Sequence, residues 1–199
     1  GKTRLLDAVN ALLVQRYPSA LMPRARRCQG DHRRAAFEDL LRDRFYASGN
    51  AADAARRIES GARSLVGGER AATVASLLVR GLGLAPSNAA VPRDDSWDAA
   101  LREILLADAR RQPLVLAFDD LDSADATTWG TLAGLLRSVD APWVLLTTCS
   151  SEDALRGVIS AAAPASVRLE LGPLDDESVD AIVLSLFSRP AAVPPQLLA

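Results

Sequence analysis

The sequence predicts an α/β fold, a mostly parallel sheet with helices on both faces. Two observations carry this. Residues 114–118, Leu-Val-Leu-Ala-Phe, form an unbroken apolar run that ends in Asp119 and Asp120. A run apolar on both sides fits a strand buried on both faces, as in a parallel sheet covered by helices. Around it, short apolar runs alternate with stretches of helical periodicity, the pattern of strand–helix–strand units.

The elements follow in order. Residues 3–16 read as a helix, with Leu5, Leu6, Val9, Leu12 and Leu13 toward one face. Tyr17-Pro18 ends it, because the residue before proline avoids the helical region. Residues 20–28 read as a strand. Pro23 and the arginines at 24, 26 and 27 suit a sheet edge, where proline is tolerated and charge discourages foreign pairing. With Arg33 and Arg34 they form a basic cluster that reads as a solvated edge, and His32 reads as surface.

Residues 35–84 turn helical. Phe37, Leu40, Leu41 and Phe45 make one face; Ala55, Ile58, Ala62 and Leu65 a second; Val74, Leu77, Leu78 and Leu82 a third. Gly49-Asn50 and Gly67-Gly68 separate them. The stretch of about 35–82 is expected to be a helical insertion that packs or meets a partner domain.

After a loop at 83–95, Ser96 is expected to cap a helix that buries Trp97, Leu101, Ile104 and Leu105. The strand 114–118 comes next. Ser123 or Asp125 can cap the following helix, which carries Trp129, Leu132, Leu135 and Leu136. Residues 143–148 are a further apolar strand with a threonine tip. A short helix at 152–161 follows, then the alternating residues 167–171 as an outer strand. Asp175 caps a last helix with Val179, Ile182, Val183 and Leu186 inside, and Leu174 and Val179 have the spacing of a hydrophobic staple.

Bulk properties bound the function. At 199 residues and 49% apolar content, one domain has ample core. A formal charge of −2 and a pI near 5.5 argue against a nucleic-acid or anionic-membrane surface as the main business. Cys28 and Cys149 lie far apart without metal-ligand spacing, which fits a reducing compartment better than a disulfide scaffold. Nothing in these residues resembles a signal peptide or a span of ~20 apolar residues, and a segment upstream of Gly1 could carry one. The first residue falls inside a motif and the residues 194–199 lead into nothing, so the chain is expected to be a piece of a longer protein.

That motif is Gly1-Lys2-Thr3 at the head of the first helix. It reads as the last three positions of a phosphate-binding loop, G-x-x-x-x-G-K-[ST]. The glycine lets backbone N–H groups approach phosphate, the lysine reaches the terminal phosphates and the hydroxyl ligates magnesium. Lys2 is the only lysine in the chain. Where arginine has otherwise displaced lysine, a retained ammonium points to a chemical requirement, since a planar guanidinium is a poor substitute inside a phosphate loop. Asp119 and Asp120 stand at the carboxyl end of their strand, where sheets of this kind bind ligands. Adjacent carboxylates need a cation, a proton or hydrogen bonds to be tolerated.

Together these stretches resemble the P-loop ATPases of the AAA+/STAND kind, in particular the ATPase modules of bacterial LuxR-type, kinase-linked and adenylate-cyclase-linked signalling regulators. Gly1-Lys2-Thr3 resembles the end of Walker A and residues 114–120 resemble Walker B. Residues 121–125, Leu-Asp-Ser-Ala-Asp, resemble the stretch that follows Walker B. Residues 144–148 with Gly172-Pro173-Leu174-Asp175 resemble the sensor strand and the turn after it.

The resemblance implies a three-layer P-loop NTPase fold over residues 1–199, a single P-loop ATPase domain. Its Walker A strand would lie upstream of residue 1, between the strands at 143–148 and 167–171. It implies that Gly1, Lys2 and Thr3 bind ATP, with Lys2 on the β- and γ-phosphates. Thr3 and Asp119 would hold Mg²⁺, Asp120 would orient the attacking water and Thr148 would be the polar sensor. One departure stands at Cys149, where the family often has arginine. The implied function is ATP binding and slow Mg²⁺-dependent hydrolysis, the nucleotide switch of a larger cytoplasmic signalling or transcription-regulatory protein. Its partners would be effector and sensor domains of the same polypeptide, with scope for self-association and no direct contact with nucleic acid or membrane. The alternative is a degenerate P-loop scaffold that binds a partner without hydrolysing ATP. A phosphotransferase would need an acceptor lid that the sequence does not offer.

Overall fold

A computed structural model describes residues 1–26, 28, 34–85, 90–137, 143–151 and 167–186. The expected helix at 152–161, Arg27, His32 and Arg33 lie outside the described residues, as do the side chains of Val183 and Leu186. The chain divides into two compact units, Gly1–Ser166 and Val167–Ala199.

In the first unit the order is α1 (Lys2–Arg16), β1 (Arg24–Ala25), α2 (Ala35–Arg44), α3 (Ala51–Val66), α4 (Arg70–Gly81) and α5 (Asp94–Arg111). Then come β2 (Leu114–Phe118), a 3₁₀ turn (Leu121–Ser123), α6 (Ala126–Arg137) and β3 (Trp143–Thr147). The three strands pair in parallel in the order β1-β2-β3. Every residue of β2 is buried, as its unbroken apolar run requires. β2 pairs along its whole length with β3, from Leu114 opposite Trp143 to Phe118 opposite Thr147. On the other side Arg24 and Ala25 pair with Ala117 and Phe118, and Leu21 bridges to Leu114.

β1 is an edge among the described strands, and α2 covers its backbone. The Arg24 N–H donates to Asp43 Oδ2 at 2.8 Å and the Arg26 N–H to Asp39 Oδ2 at 2.5 Å. Donors that an edge strand would leave to water are thereby paired.

The three helices after β1 keep the faces that their spacing predicts. Phe37, Leu40 and Leu41 of α2, Ile58, Ala62 and Leu65 of α3, and Val74 and Leu78 of α4 are buried. Asn50 caps α3 by accepting from the Asp53 N–H at 2.9 Å. Phe37 stands at the centre of the core, with ring centroids 5.4 Å from Trp97 of α5 and 5.6 Å from Phe118 of β2, both edge-to-face. Trp97 fits only because α4 is glycine at its crossing, where a Cβ on Gly81 would come within 2.0 Å of the indole.

Three elements differ from the sequence reading. Ser96 does not cap α5, which begins two residues earlier behind Arg93 without a side-chain cap. Asp94 and Asp95 fill its first turn, where negative charge is favoured by the helix dipole. Of the apolar residues of α1 only Leu6 is buried, while Leu5, Leu12 and Val14 are exposed. In the second unit, residues 167–171 form no strand, and Val167 is 98% exposed. Alternation alone makes no strand without a neighbour to pair with.

The second unit's helix is α7 (Asp176–Leu186), capped as expected by Asp175, whose Oδ1 accepts from the Ser178 N–H at 2.8 Å. Val179 and Ile182, expected inside, are exposed. Among the described residues, no helix is long and apolar enough to cross a membrane.

Candidate functional site

The carboxyl end of β2 gathers the chemistry. Parallel strands all deliver their carboxyl ends to the same edge, so the residues after β1, β2 and β3 meet there. Asp119 follows β2 and Thr148 follows β3, and both are buried. The Thr148 hydroxyl donates to Asp119 Oδ1 at 2.7 Å and accepts from the Asp120 N–H at 2.8 Å. One hydroxyl thus fixes the first carboxylate and the backbone of the second.

The other Asp119 oxygen is taken by Arg24 of β1, whose Nη2 donates to Oδ2 at 2.6 Å. The second Arg24 nitrogen, Nη1, donates to Asp7 of α1. Thr3 of α1 stands near enough to Asp119 to favour its ionised form. Burial pushes the Asp119 pKa up, but the hydrogen bonds from Thr148 and Arg24, the nearby Thr3 and the Arg24 charge outweigh it. The net result lies below the ordinary carboxylate range, so Asp119 is an anion at neutral pH.

Asp120 behaves differently. It is exposed and its backbone is left-handed, with φ 57° and ψ 48°. Aspartate tolerates this region better than most residues, and the turn throws the chain into the 3₁₀ segment away from β2. Desolvation, Asp122 and the charge of Asp119 push its pKa up, and Lys2 pulls it down. Lys2 is near enough to act on Asp120, and its Nζ donates to Ser150 Oγ at 2.9 Å. Ser150 is held in turn by its N–H to Asp122 Oδ2 at 3.1 Å. Gly1 is the exposed N-cap of α1, and its carbonyl accepts from the Leu5 N–H at 3.0 Å. The first N–H groups of α1 have no partner within the helix and form its electropositive end.

Lys2, Thr3, Asp119, Asp120 and Thr148 therefore share one edge of the sheet, with Gly1 heading the helix that carries the first two. Asp125 lies further along and caps α6, accepting from the Thr128 N–H at 2.9 Å. Cys149 is partly buried, next in sequence to Thr148.

Arg24 is the residue the sequence reading missed. Its side chain is 5% exposed, not a solvated edge charge. Five arginines crowd residues 24–34, and only a partner 95 residues away distinguishes this one. Ser150 had no signal beyond its place after the sensor strand.

The same stretches carry a family match. The family model of the AAA ATPase domain matches residues 1–147. The chain belongs to the AAA ATPase domain family. No curated protein and no solved structure matches it. The matched span of this AAA ATPase domain runs from Gly1 to the last residue of β3 and includes α1, the strand end at Asp119 and all three strands. Membership makes it an ATP-binding module of ATPase type, and nucleotide binding in such modules is typically Mg²⁺-dependent.

The residues present fit a magnesium nucleotide. Among the described residues, no group of three His, Cys, Asp or Glu is placed to hold a metal alone. Mg²⁺ in nucleotide sites takes only one or two protein oxygens and draws the rest from phosphates and water. The Thr3 hydroxyl and the Asp119 carboxylate, near enough for Thr3 to influence Asp119, are hard oxygen donors of that kind.

Proposed function

We propose that this module binds ATP with Mg²⁺, hydrolyses it slowly, and serves as the nucleotide switch of a larger signalling or transcription-regulatory protein. The observation that carries the reading is the Thr148–Asp119 hydrogen bond at the end of β2, with Thr3 and Lys2 of α1 near Asp119 and Asp120.

Each residue has a part. The N–H groups at the start of α1, behind Gly1, take phosphate oxygens. Lys2 neutralises charge on the β- and γ-phosphates, and its bond to Ser150 is an exposed contact that a phosphate can replace. Thr3 and Asp119 would hold the metal, which would supply positive charge against the phosphates. Asp120, exposed and aimed away from β2 by its left-handed turn, orients the attacking water. Thr148 holds Asp119 and Asp120 in fixed relation and reports a change at either to β3. Cys149 supplies no guanidinium for the γ-phosphate, which agrees with slow turnover.

Turnover tests the division of labour. Asp120→Asn should lower ATP hydrolysis about a hundredfold or more while ATP still binds. Unchanged hydrolysis would remove Asp120 from the mechanism. If folded wild-type protein shows no turnover and no ATP binding, the scaffold reading takes its place.

A further inference from the structure

Arg24 has two carboxylate partners on two different elements, and their positions suggest what it is for. It sits in β1 opposite Ala117 and projects to the residue at the end of β2. Asp119 is gripped on both oxygens from the strands on either side: Oδ2 by Arg24 of β1, Oδ1 by Thr148 after β3. A carboxylate torsion is broad when free. Held by two donors from opposite sides, it keeps one orientation. The second arm of Arg24 reaches Asp7, which lies one helical turn after Thr3 on α1. Residues four apart share a helix face, so Thr3 and Asp7 both face the end of β2.

Charge neutralisation alone does not require this arrangement. A single carboxylate suffices to compensate a buried guanidinium. Asp7 is 54% exposed and would be well solvated without Arg24. Its bond adds connection rather than solvation, running from the phosphate-loop helix through Arg24 to Asp119.

We propose that Arg24 is a positioning residue for the metal site, fixing the Asp119 carboxylate and, through Asp7, its register with the helix that carries Lys2 and Thr3. This rests on the magnesium-nucleotide reading of the site. Partners that orient a metal ligand are worth about tenfold to a hundredfold in metal affinity.

The test is binding of a fluorescent ATP analogue to the intact protein, titrated with Mg²⁺ and repeated in chelator, which needs no turnover. Arg24→Gln and Asp7→Asn should each raise the Mg²⁺ concentration for half-maximal enhancement, Arg24→Gln by about tenfold or more. Binding in chelator should not change. Adding Asp7→Asn to Arg24→Gln should do nothing further, because Asp7 acts only through the guanidinium. Asp7→Asn alters a half-exposed residue and leaves the Arg24–Asp119 pair in place, so it decides the matter even if Arg24→Gln fails to fold. Wild-type Mg²⁺ dependence in Asp7→Asn would overturn the proposal and leave the nucleotide site standing. A folded wild type that binds no nucleotide would overturn both.

Discussion

Asp119 is buried, anionic and held by Arg24 and Thr148, and this has a pH consequence. Its pKa in the fold lies below the unfolded value of about 3.9. A carboxylate with a depressed pKa contributes stability that is fully present above the unfolded pKa and is lost as pH falls through the folded one. Asp119→Asn should therefore be less stable than wild type at pH 7, with the gap closing below about pH 4. Chemical denaturation at both pH values measures it, and a gap that persists in acid would mean that the carboxylate charge is not the cause. Cys28 makes a second prediction. Burial, with the charges of Asp120, Asp39, Asp119 and Asp122, pushes its thiol up to about 12, and its Sγ donates to the Asp119 carbonyl at 3.1 Å. It should resist alkylation at pH 8 in the folded protein and react once denatured, since the thiolate is the nucleophile. The carboxylates were legible in the sequence because they end an apolar run. Arg24 was not, because its partners are set by strand pairing and its neighbours in sequence look the same.

At the scale of elements, caps and crossings decide. Asp125 caps α6 through the Thr128 N–H and hydroxyl and also accepts from the Arg34 N–H at 3.3 Å. Asp125→Ala should cost about 1 kcal/mol, read from the denaturation midpoint. Gly81 sets two effects against each other. Alanine in a helix is favoured over glycine by about 1 kcal/mol. The new Cβ would sit 2.0 Å from the Trp97 ring, itself packed edge-to-face with Phe37 and covered by the Arg34 guanidinium 4.4 Å away. Overpacking costs about 1–3 kcal/mol, so Gly81→Ala should destabilise overall. A stabilised variant would mean that the α4–α5 crossing yields easily. Periodicity foretold the faces of α2, α3 and α4, because α3 and α4 bury their stripes against each other and α5, and α2 buries its own chiefly against the sheet. It misread the start of α5, where Asp94 and Asp95 serve the first turn by charge and Ser96 lies already inside. It also made a strand of residues 167–171, where the pattern was present and no pairing partner stands among the described residues.

For the whole molecule, the parallel order β1-β2-β3 accounts for the site. It brings residues 24, 119 and 148, far apart in sequence, to one edge beside the head of α1. The fold class was legible because a strand buried on both faces needs an unbroken apolar run, and β2 has one. Magnesium-dependent ATP binding tests the account most directly, with wild type measured beside Lys2→Ala and Asp119→Ala. The account predicts that Lys2→Ala loses binding, and that Asp119→Ala still binds weakly but no longer responds to Mg²⁺. Binding by both variants equal to wild type, or none by folded wild-type protein, would contradict it.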